Sequence, residues 1–257
     1  MYKRQVLEYP NEEGNQNEDI GSKIKGNINI EEGGEYQEPQ VIITGNSVGG
    51  SNGWVKSVEI KADITTQTGK YKSKYCISEG GECEPNIEAD IGEEGFKIEL
   101  GNNKKEQKVC VRVEDEYQQV AKGCSEGYKV DNEIPTSSIN VGSSTSGNNS
   151  WYRALTLKVN GKDNYSGVKN IKYCTTTGST CTPSTTVNGT SANISLSSNV
   201  SAQKVCAKAI DGAGNESGVT CSGTYYVDTT KPTVSITSTS VSENSITINV
   251  SGSDTHS

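Results

Sequence analysis

Short stretches in which apolar and polar residues alternate recur along the chain, and glycine, asparagine, aspartate and serine separate them. In residues 151–159, for example, Trp151, Leu155, Leu157 and Val159 all stand at odd positions. A period of two is typical of a strand with one buried face. β-Branched residues dominate these stretches and strong helix formers are sparse, so the pattern predicts an all-β protein.

Turn signals return at regular intervals between these stretches. In the segment 132–229 the pattern predicts about seven short strands, at residues 138–141, 151–159, 168–174, 187–196 (one or two strands), 203–210 and 219–227. Seven short strands within ~100 residues are typical of an immunoglobulin-like β-sandwich. Only 31% of the residues are hydrophobic, which suits thin two-sheet cores better than one large core.

The same landmarks recur at intervals of 96 to 98 residues. The eight cysteines form two sets of four at this interval: Cys76, Cys83, Cys110 and Cys124, then Cys174, Cys181, Cys206 and Cys221. Trp54 and Trp151 are 97 residues apart, and so are the segments 130–135 and 227–232. Matches at so many landmarks predict tandem copies of one structural unit.

The repeat divides the chain into four segments. Residues 38–131 and 132–229 are predicted to form the first and second immunoglobulin-like repeats, and residues 230–257 the truncated start of a third. Two strands cannot bury a sandwich core, so this last segment is expected to be poorly ordered or to pair opportunistically. Residues 1–37 are predicted to be a linker or the tail of a preceding module.

Four cysteines per repeat predict disulfide bonds formed in an oxidising compartment. The turn between the last two strands is centred near residue 213, which places Cys206 almost opposite Cys221. This favours the local pairing of Cys206 with Cys221 and of Cys174 with Cys181. The pairing of Cys174 with Cys206 and of Cys181 with Cys221 stays open, as does a zinc site, although six residues between the first two cysteines exceed the usual zinc spacing.

Charge and motifs exclude several functional classes. The net charge is −8, and the acidic excess lies in residues 1–131, so no basic face for nucleic acid or for an anionic membrane is expected. No apolar run approaches the ~20 residues of a membrane helix. No signal peptide is visible, so any export signal is expected outside this sequence. His256 is the only histidine and no catalytic motif occurs, which predicts a protein that is not an enzyme.

The chain resembles the bacterial Ig-like repeats of surface adhesins and secreted multi-modular proteins. The resemblance rests on the tryptophan before the second strand, on Asp163-x-x-Ser166-Gly167-Val168, on residues 209–217 and on the segment 226–232. The first repeat departs from it, with Glu114 where the second repeat has Ile210. Such repeats serve as stalks, spacers or adhesive modules.

The resemblance therefore implies a non-catalytic extracellular stalk or spacer that supports adhesion at the cell surface. Its partners would be the neighbouring repeats of the same chain. Two alternatives stay open: a module that binds a glycan or a protein of a host or cell surface, and an accessory domain of a secreted enzyme. The two tryptophans are predicted to cap the sandwich ends.

In a sandwich of this type, the loops after the second and sixth strands lie at the end that faces the incoming linker. These loops carry Asp163, Asp211 and Asn215, and the linker carries Asp131. Oxygen ligands from three segments are a donor set that Ca²⁺ accepts, so the sequence predicts a structural calcium site at the junction and no other cofactor. The alternative is that these side chains only stabilise their own turns.

Overall fold

A computed structural model describes residues 35–89, 96–147, 149–196 and 200–256. Within these ranges every regular element is a β-strand, which confirms the all-β prediction. Contacts divide the chain after Tyr36, and the predicted linker lies, up to residue 34, outside the described residues. No helix of the described chain is long and apolar enough to cross a membrane.

The first sandwich contains nine short strands. They are β1 Gln40–Val48, β2 Trp54–Val55, β3 Ser57–Thr65, β4 Tyr71–Glu79, β5 Ile87–Ala89, β6 Phe96–Glu99, β7 Gln107–Asp115, β8 Val120–Cys124 and β9 Lys129–Val130. One sheet has the order β1-β3-β6 and the other the order β5-β4-β7-β8, while β2 and β9 form a separate parallel pair. Neighbouring strands within each of these two sheets are antiparallel.

Alternation along the strands builds the first core. Val58, Ile60 and Ala62 of β3 are at most 2% exposed, and in β7 Val109, Val111 and Val113 are fully buried. These side chains pack together between the two sheets. Full burial of a valine or isoleucine contributes ~1.5–3 kcal/mol, so the burial of these side chains stabilises the first sandwich.

The second sandwich repeats this plan. Its strands are β10 Thr136–Ser146, β11 Trp151–Lys162, β12 Val168–Thr176, β13 Thr185–Asn188, β14 Ser191–Ser195, β15 Val200–Asp211, β16 Thr220–Cys221 and β17 Tyr225–Val227. The continuous pairing order is β10-β11-β17-β15-β12-β13, with β14 against β11 and β16 against β15. Leu157, Val159, Ile171 and Val205 are fully buried in its core.

The structure joins the cysteines in local pairs. The four bonds are Cys76–Cys83, Cys110–Cys124, Cys174–Cys181 and Cys206–Cys221, and no cysteine is free. This is the pairing that the sequence favoured. With all eight cysteines in disulfides, the structure has no free thiol to bind zinc. In both sandwiches the register aligns three cysteines across adjacent strands, with Cys206 between Cys174 and Cys221 in the second.

Residues after the second sandwich form a two-stranded antiparallel hairpin, β18 Thr233–Ser242 and β19 Ser245–Ser253. Every residue of both strands is exposed, including Ile236, Ile246 and Val250. In the second sandwich the strand that aligns with β19 is β11, whose Leu157 is fully buried. The hairpin therefore has the pattern of a repeat without a core of its own within the described chain.

Candidate cation site at the junction of the two sandwiches

The two sandwiches touch directly through two loops. The backbone N–H and the side-chain hydroxyl of Ser51, between β1 and β2, both donate to the carbonyl of Gly212, at 3.0 and 2.8 Å. Gly49 has a φ of +71°, and a β-carbon at this position would lie 3.1 Å from the carbonyl oxygen of Ala213. Glycine is therefore favoured at residue 49 both by its backbone conformation and by the close approach of the second sandwich.

Asp131 connects the end of the first sandwich to the start of the second. It is fully buried, and its N–H donates to the Val55 carbonyl at 2.9 Å. Its Oδ1 accepts the N–H of Glu133 at 2.9 Å and its Oδ2 accepts the N–H of Ser166 at 3.0 Å. The carbonyl of Asp131 accepts a hydrogen bond from the Asn215 side-chain amide at 2.8 Å. The linker residue thus has partners in both sandwiches.

Asp163 follows β11 and begins a tight turn. Its Oδ2 accepts the backbone N–H groups of Tyr165 and Gly167 at 3.1 and 2.7 Å. Its Oδ1 is buried and has no hydrogen-bond partner in the structure. One oxygen of this carboxylate therefore stabilises the turn, as expected for aspartate, while the other is left without compensation for its burial.

Asp211 is the last residue of β15 and is fully buried. Its Oδ1 accepts the backbone N–H of Asn215 at 2.7 Å, and its Oδ2 accepts the side-chain amide of the same residue at 2.8 Å. Burial raises the pKa of Asp211, and the nearby charge of Asp131 raises it further, against the lowering effect of the hydrogen bonds from Asn215 and Gly214. The site is therefore unfavourable for uncompensated negative charge.

The carboxylate oxygens of three of the four residues predicted from the sequence lie close together. One oxygen from each of Asp131, Asp163 and Asp211 lies within 4.8 Å of the other two. In the part of the chain that is described, none of these carboxylates forms an ion pair with a lysine or an arginine. The arrangement can offer a divalent cation oxygen ligands from the linker and from two loops.

Asn215 has a different role from the predicted one. Its amide nitrogen donates to the Asp211 carboxylate and to the Asp131 carbonyl, so in this structure it joins the cluster as a hydrogen-bond donor. Sequence reasoning also missed Ser51 and Ser166, which hold the loops together. No local signal marks Ser51, whereas Ser166 belongs to the Asp163-x-x-Ser166 motif.

Among the described residues of the first sandwich, no cluster of this kind occurs. Asp115 is the counterpart of Asp211, and its Oδ1 accepts the N–H groups of Tyr117 and Gln119 at 2.9 Å, as a turn-stabilising carboxylate does. Thr66 stands 97 residues before Asp163 and supplies no carboxylate. Turn stabilisation by one aspartate is therefore common to both sandwiches, while the triad belongs to the junction.

Comparison with known proteins gives similarity in structure only. No family model matches the chain, and no curated protein matches it. The chain is similar to the fibronectin(III)-like modules of CbhA from Clostridium thermocellum, with 12% identity over 73% of this chain and 95% of that one, at a TM-score of 0.36.

A second similar structure comes from a 1.5-MDa bacterial ice-binding adhesin, described in terms of host cell surface retention. Its identity is 16% over 79% of this chain and 71% of that chain, again at a TM-score of 0.36. At such values neither similarity bears on the function of this chain.

Proposed function

We propose that this chain is a non-catalytic extracellular spacer, in which a calcium ion bound at the junction locks two immunoglobulin-like sandwiches to each other. The observation that carries the proposal is the convergence of the carboxylates of the buried Asp131 and Asp211 and the half-buried Asp163 where the two sandwiches meet. A spacer needs defined angles between its domains, and a cation that binds the linker and two loops at once restricts those angles.

The donor set suits calcium. Buried carboxylates are costly unless a cation or hydrogen bonds compensate them, and here Asp163 Oδ1 has no such partner. Ca²⁺ binds oxygens at about 2.3–2.6 Å in flexible geometry, so ligand oxygens separated by up to 4.8 Å lie within its reach. Magnesium, at about 2.0–2.1 Å with near-ideal octahedral geometry, is matched less well. Water would complete the coordination.

The remaining surface supports a structural role. Two depressions in the described part of the chain hold about 360 and 570 Å³. The first is bordered by Lys70, Lys72, Glu114 and Glu116, and the second includes the Lys97–Glu59 ion pair. Both therefore carry mixed surface charges rather than a nucleophile beside a general base.

The disulfides support export. Two short-range bonds per sandwich form and persist in oxidising surroundings, and they compensate for a core as lean as the one described here. The four-cysteine arrangement is repeated in both sandwiches, so this stabilisation belongs to the repeating unit. Repeating units stabilised by disulfides in this way suit a protein that is exposed outside the cell.

Backbone ¹⁵N relaxation of the full chain, recorded with saturating Ca²⁺ and with a chelator, tests the proposal. With Ca²⁺ we expect both sandwiches to report one common tumbling time, and without Ca²⁺ we expect the second to gain independent motion. Asp115→Asn is the matched control, because it alters the equivalent turn of the first sandwich and leaves the triad intact. Tumbling times that do not respond to Ca²⁺ would contradict the calcium lock, and separate tumbling in both conditions would contradict the spacer.

A further inference from the structure

A second group of metal-ligating side chains lies where the second sandwich meets the β18–β19 hairpin. Asp228, Asp254 and His256 each place one ligand atom within 4.8 Å of the other two. Asp228 directly follows β17, and Asp254 directly follows β19. Nothing in the function proposed above uses these three residues.

The group occupies the same positions as the first junction. Asp228 stands 97 residues after Asp131, and Asp254 stands 91 residues after Asp163. The N–H of Asp228 donates to the Tyr152 carbonyl at 2.9 Å, just as the N–H of Asp131 donates to Val55 at 2.9 Å. The same backbone pairing therefore places Asp228 and Asp131 at equivalent positions.

Both aspartates of the second junction accept hydrogen bonds from the backbone N–H two residues further along the chain, as Asp131 does in the first junction. Oδ1 of Asp228 accepts the N–H of Thr230 at 2.8 Å, as Oδ1 of Asp131 accepts that of Glu133. Oδ1 of Asp254 accepts the N–H of His256 at 3.1 Å, two residues further on. This turn carries the histidine to the cluster.

The third ligand distinguishes the two junctions. In the first junction it is the carboxylate of Asp211, whereas in the second it is the imidazole of His256, which stands at the position of Tyr165 in the preceding repeat. Ca²⁺ takes oxygen ligands, while zinc and the neighbouring transition metals bind imidazole nitrogen together with carboxylate oxygen. The chemistry of the donors, and not the position in the fold, therefore separates the two sites.

We propose that Asp228, Asp254 and His256 form a second cation site, selective for a divalent transition metal of the zinc class over Ca²⁺. Asp228 is only 5% exposed and anchors the site, and the exposed His256 completes it from the solvent side. Thr255 Oγ1 lies 2.8 Å from His256 Nδ1 and restrains the imidazole, as outer partners do for metal-bound histidines. Three protein ligands leave a coordination position for water.

The chain offers a direct probe of this site, because His256 is its only histidine. In a ¹H–¹³C spectrum of the full chain its Cε1–H signal is the single histidine reporter. We expect added Zn²⁺ to shift or broaden this signal and to saturate the effect at one equivalent, while Ca²⁺ leaves it in place. A histidine signal that Zn²⁺ does not change overturns the proposal, as does one that Ca²⁺ shifts equally.

Variants separate this site from the first junction. Asp254→Asn is expected to weaken Zn²⁺ binding at His256 by ~10- to 100-fold, because it removes one charged ligand. Asp163→Asn, the matched change in the first junction, is expected to leave the Zn²⁺ response of His256 unchanged. Equal Zn²⁺ affinity in the wild type and in Asp254→Asn overturns the site. Since the readout is His256, the result is independent of whether calcium binds at the first junction.

Discussion

Oδ2 of Asp131 accepts a hydrogen bond from the backbone N–H of Ser166 at 3.0 Å, and this bond ties the linker after the first sandwich to the turn after β11 in the second. The turn is the one that Asp163 stabilises, so both carboxylates accept hydrogen bonds from the backbone of the same turn. Their mutual repulsion opposes this arrangement in the absence of a cation. The stability of the junction is therefore expected to depend on divalent ions.

The first prediction concerns Asp163→Asn. Without Ca²⁺ we expect the variant to be as stable as the wild type or slightly more stable, because it removes one charge from a buried like-charged group. With Ca²⁺ at about 100 times its dissociation constant, the wild type should gain ~2.7 kcal/mol and the variant much less. Thermal unfolding with and without Ca²⁺ measures both, and Asp115→Asn should keep the full calcium response. A variant that retains the wild-type gain would remove Asp163 from the site.

The second prediction concerns the direct contact between the sandwiches. Gly49→Ala should weaken the docking of the Ser51 loop, because it combines a positive φ with a β-carbon 3.1 Å from the Ala213 carbonyl. Gly53→Ala is the matched control, since it has a φ of +79° with no atom within 4 Å of the added carbon. We expect both to lose ~1 kcal/mol of stability from backbone strain, and only Gly49→Ala to free the sandwiches from each other.

Small-angle scattering and ¹⁵N relaxation report this difference between the two glycine variants. Greater independent motion in Gly49→Ala than in Gly53→Ala is the expected result. Equal behaviour of the two would mean that the loop contact with Gly212 does not determine how the sandwiches are joined.

The third prediction concerns the two disulfides of the second sandwich. Replacing Cys206 and Cys221 together by serine should destabilise the sandwich by ~2–4 kcal/mol. Cys206–Cys221 closes a sequence separation of 15 and Cys174–Cys181 one of 7, so the chain-entropy model makes the first bond worth ~0.7 kcal/mol more. Urea unfolding of each double variant tests the order. A larger loss on removing Cys174–Cys181 would show that native packing, rather than loop entropy, dominates.

The fourth prediction concerns pH. The Lys208 ammonium, hydrogen-bonded to the Glu216 carboxylate, holds the pKa of Glu216 below its usual range. A pKa lowered by folding contributes stability that is present above the unfolded-state value and is lost as the pH falls through the folded-state value. Because the pair is solvent-accessible, Lys208→Met should remove only a few tenths of a kcal/mol near neutral pH. The difference from wild type should vanish in acid, and a difference that persists there would assign the effect to packing of the lysine stem.

Much of the fold follows from local features of the chain. Period-two alternation located the strands, and the cysteine interval located the repeats. The segment 187–196, predicted as one or two strands, forms the two strands β13 and β14, whereas the single predicted strand 219–227 is divided between β16 and β17. In the segment 219–227, β16 pairs with β15, while β17 pairs with both β15 and β11, so the chain changes partners within a few residues. Alternation alone cannot show such a change.

Some features of the candidate site could be predicted from the sequence, and others needed the structure. Asp131, Asp163 and Asp211 could be predicted because aspartate at a strand end and in a linker is visible in the sequence, and the sandwich topology brings those ends together. The donor role of Asn215 could not be predicted, because the orientation of an amide depends on which groups surround it. The hydrogen bonds of Ser51 to Gly212 span 161 residues, and no local pattern encodes a contact of that range.

The sequence by itself determined the strand content and the acidic residues at the junction, and it predicted the repeat and an oxidising compartment, since each depends on residue type and spacing along the chain. Only the tertiary structure decided that one oxygen of Asp163 is left without a partner and that His256 joins Asp228 and Asp254. Those relationships depend on how separate loops dock, and docking is set by the packing of whole sandwiches rather than by any single segment.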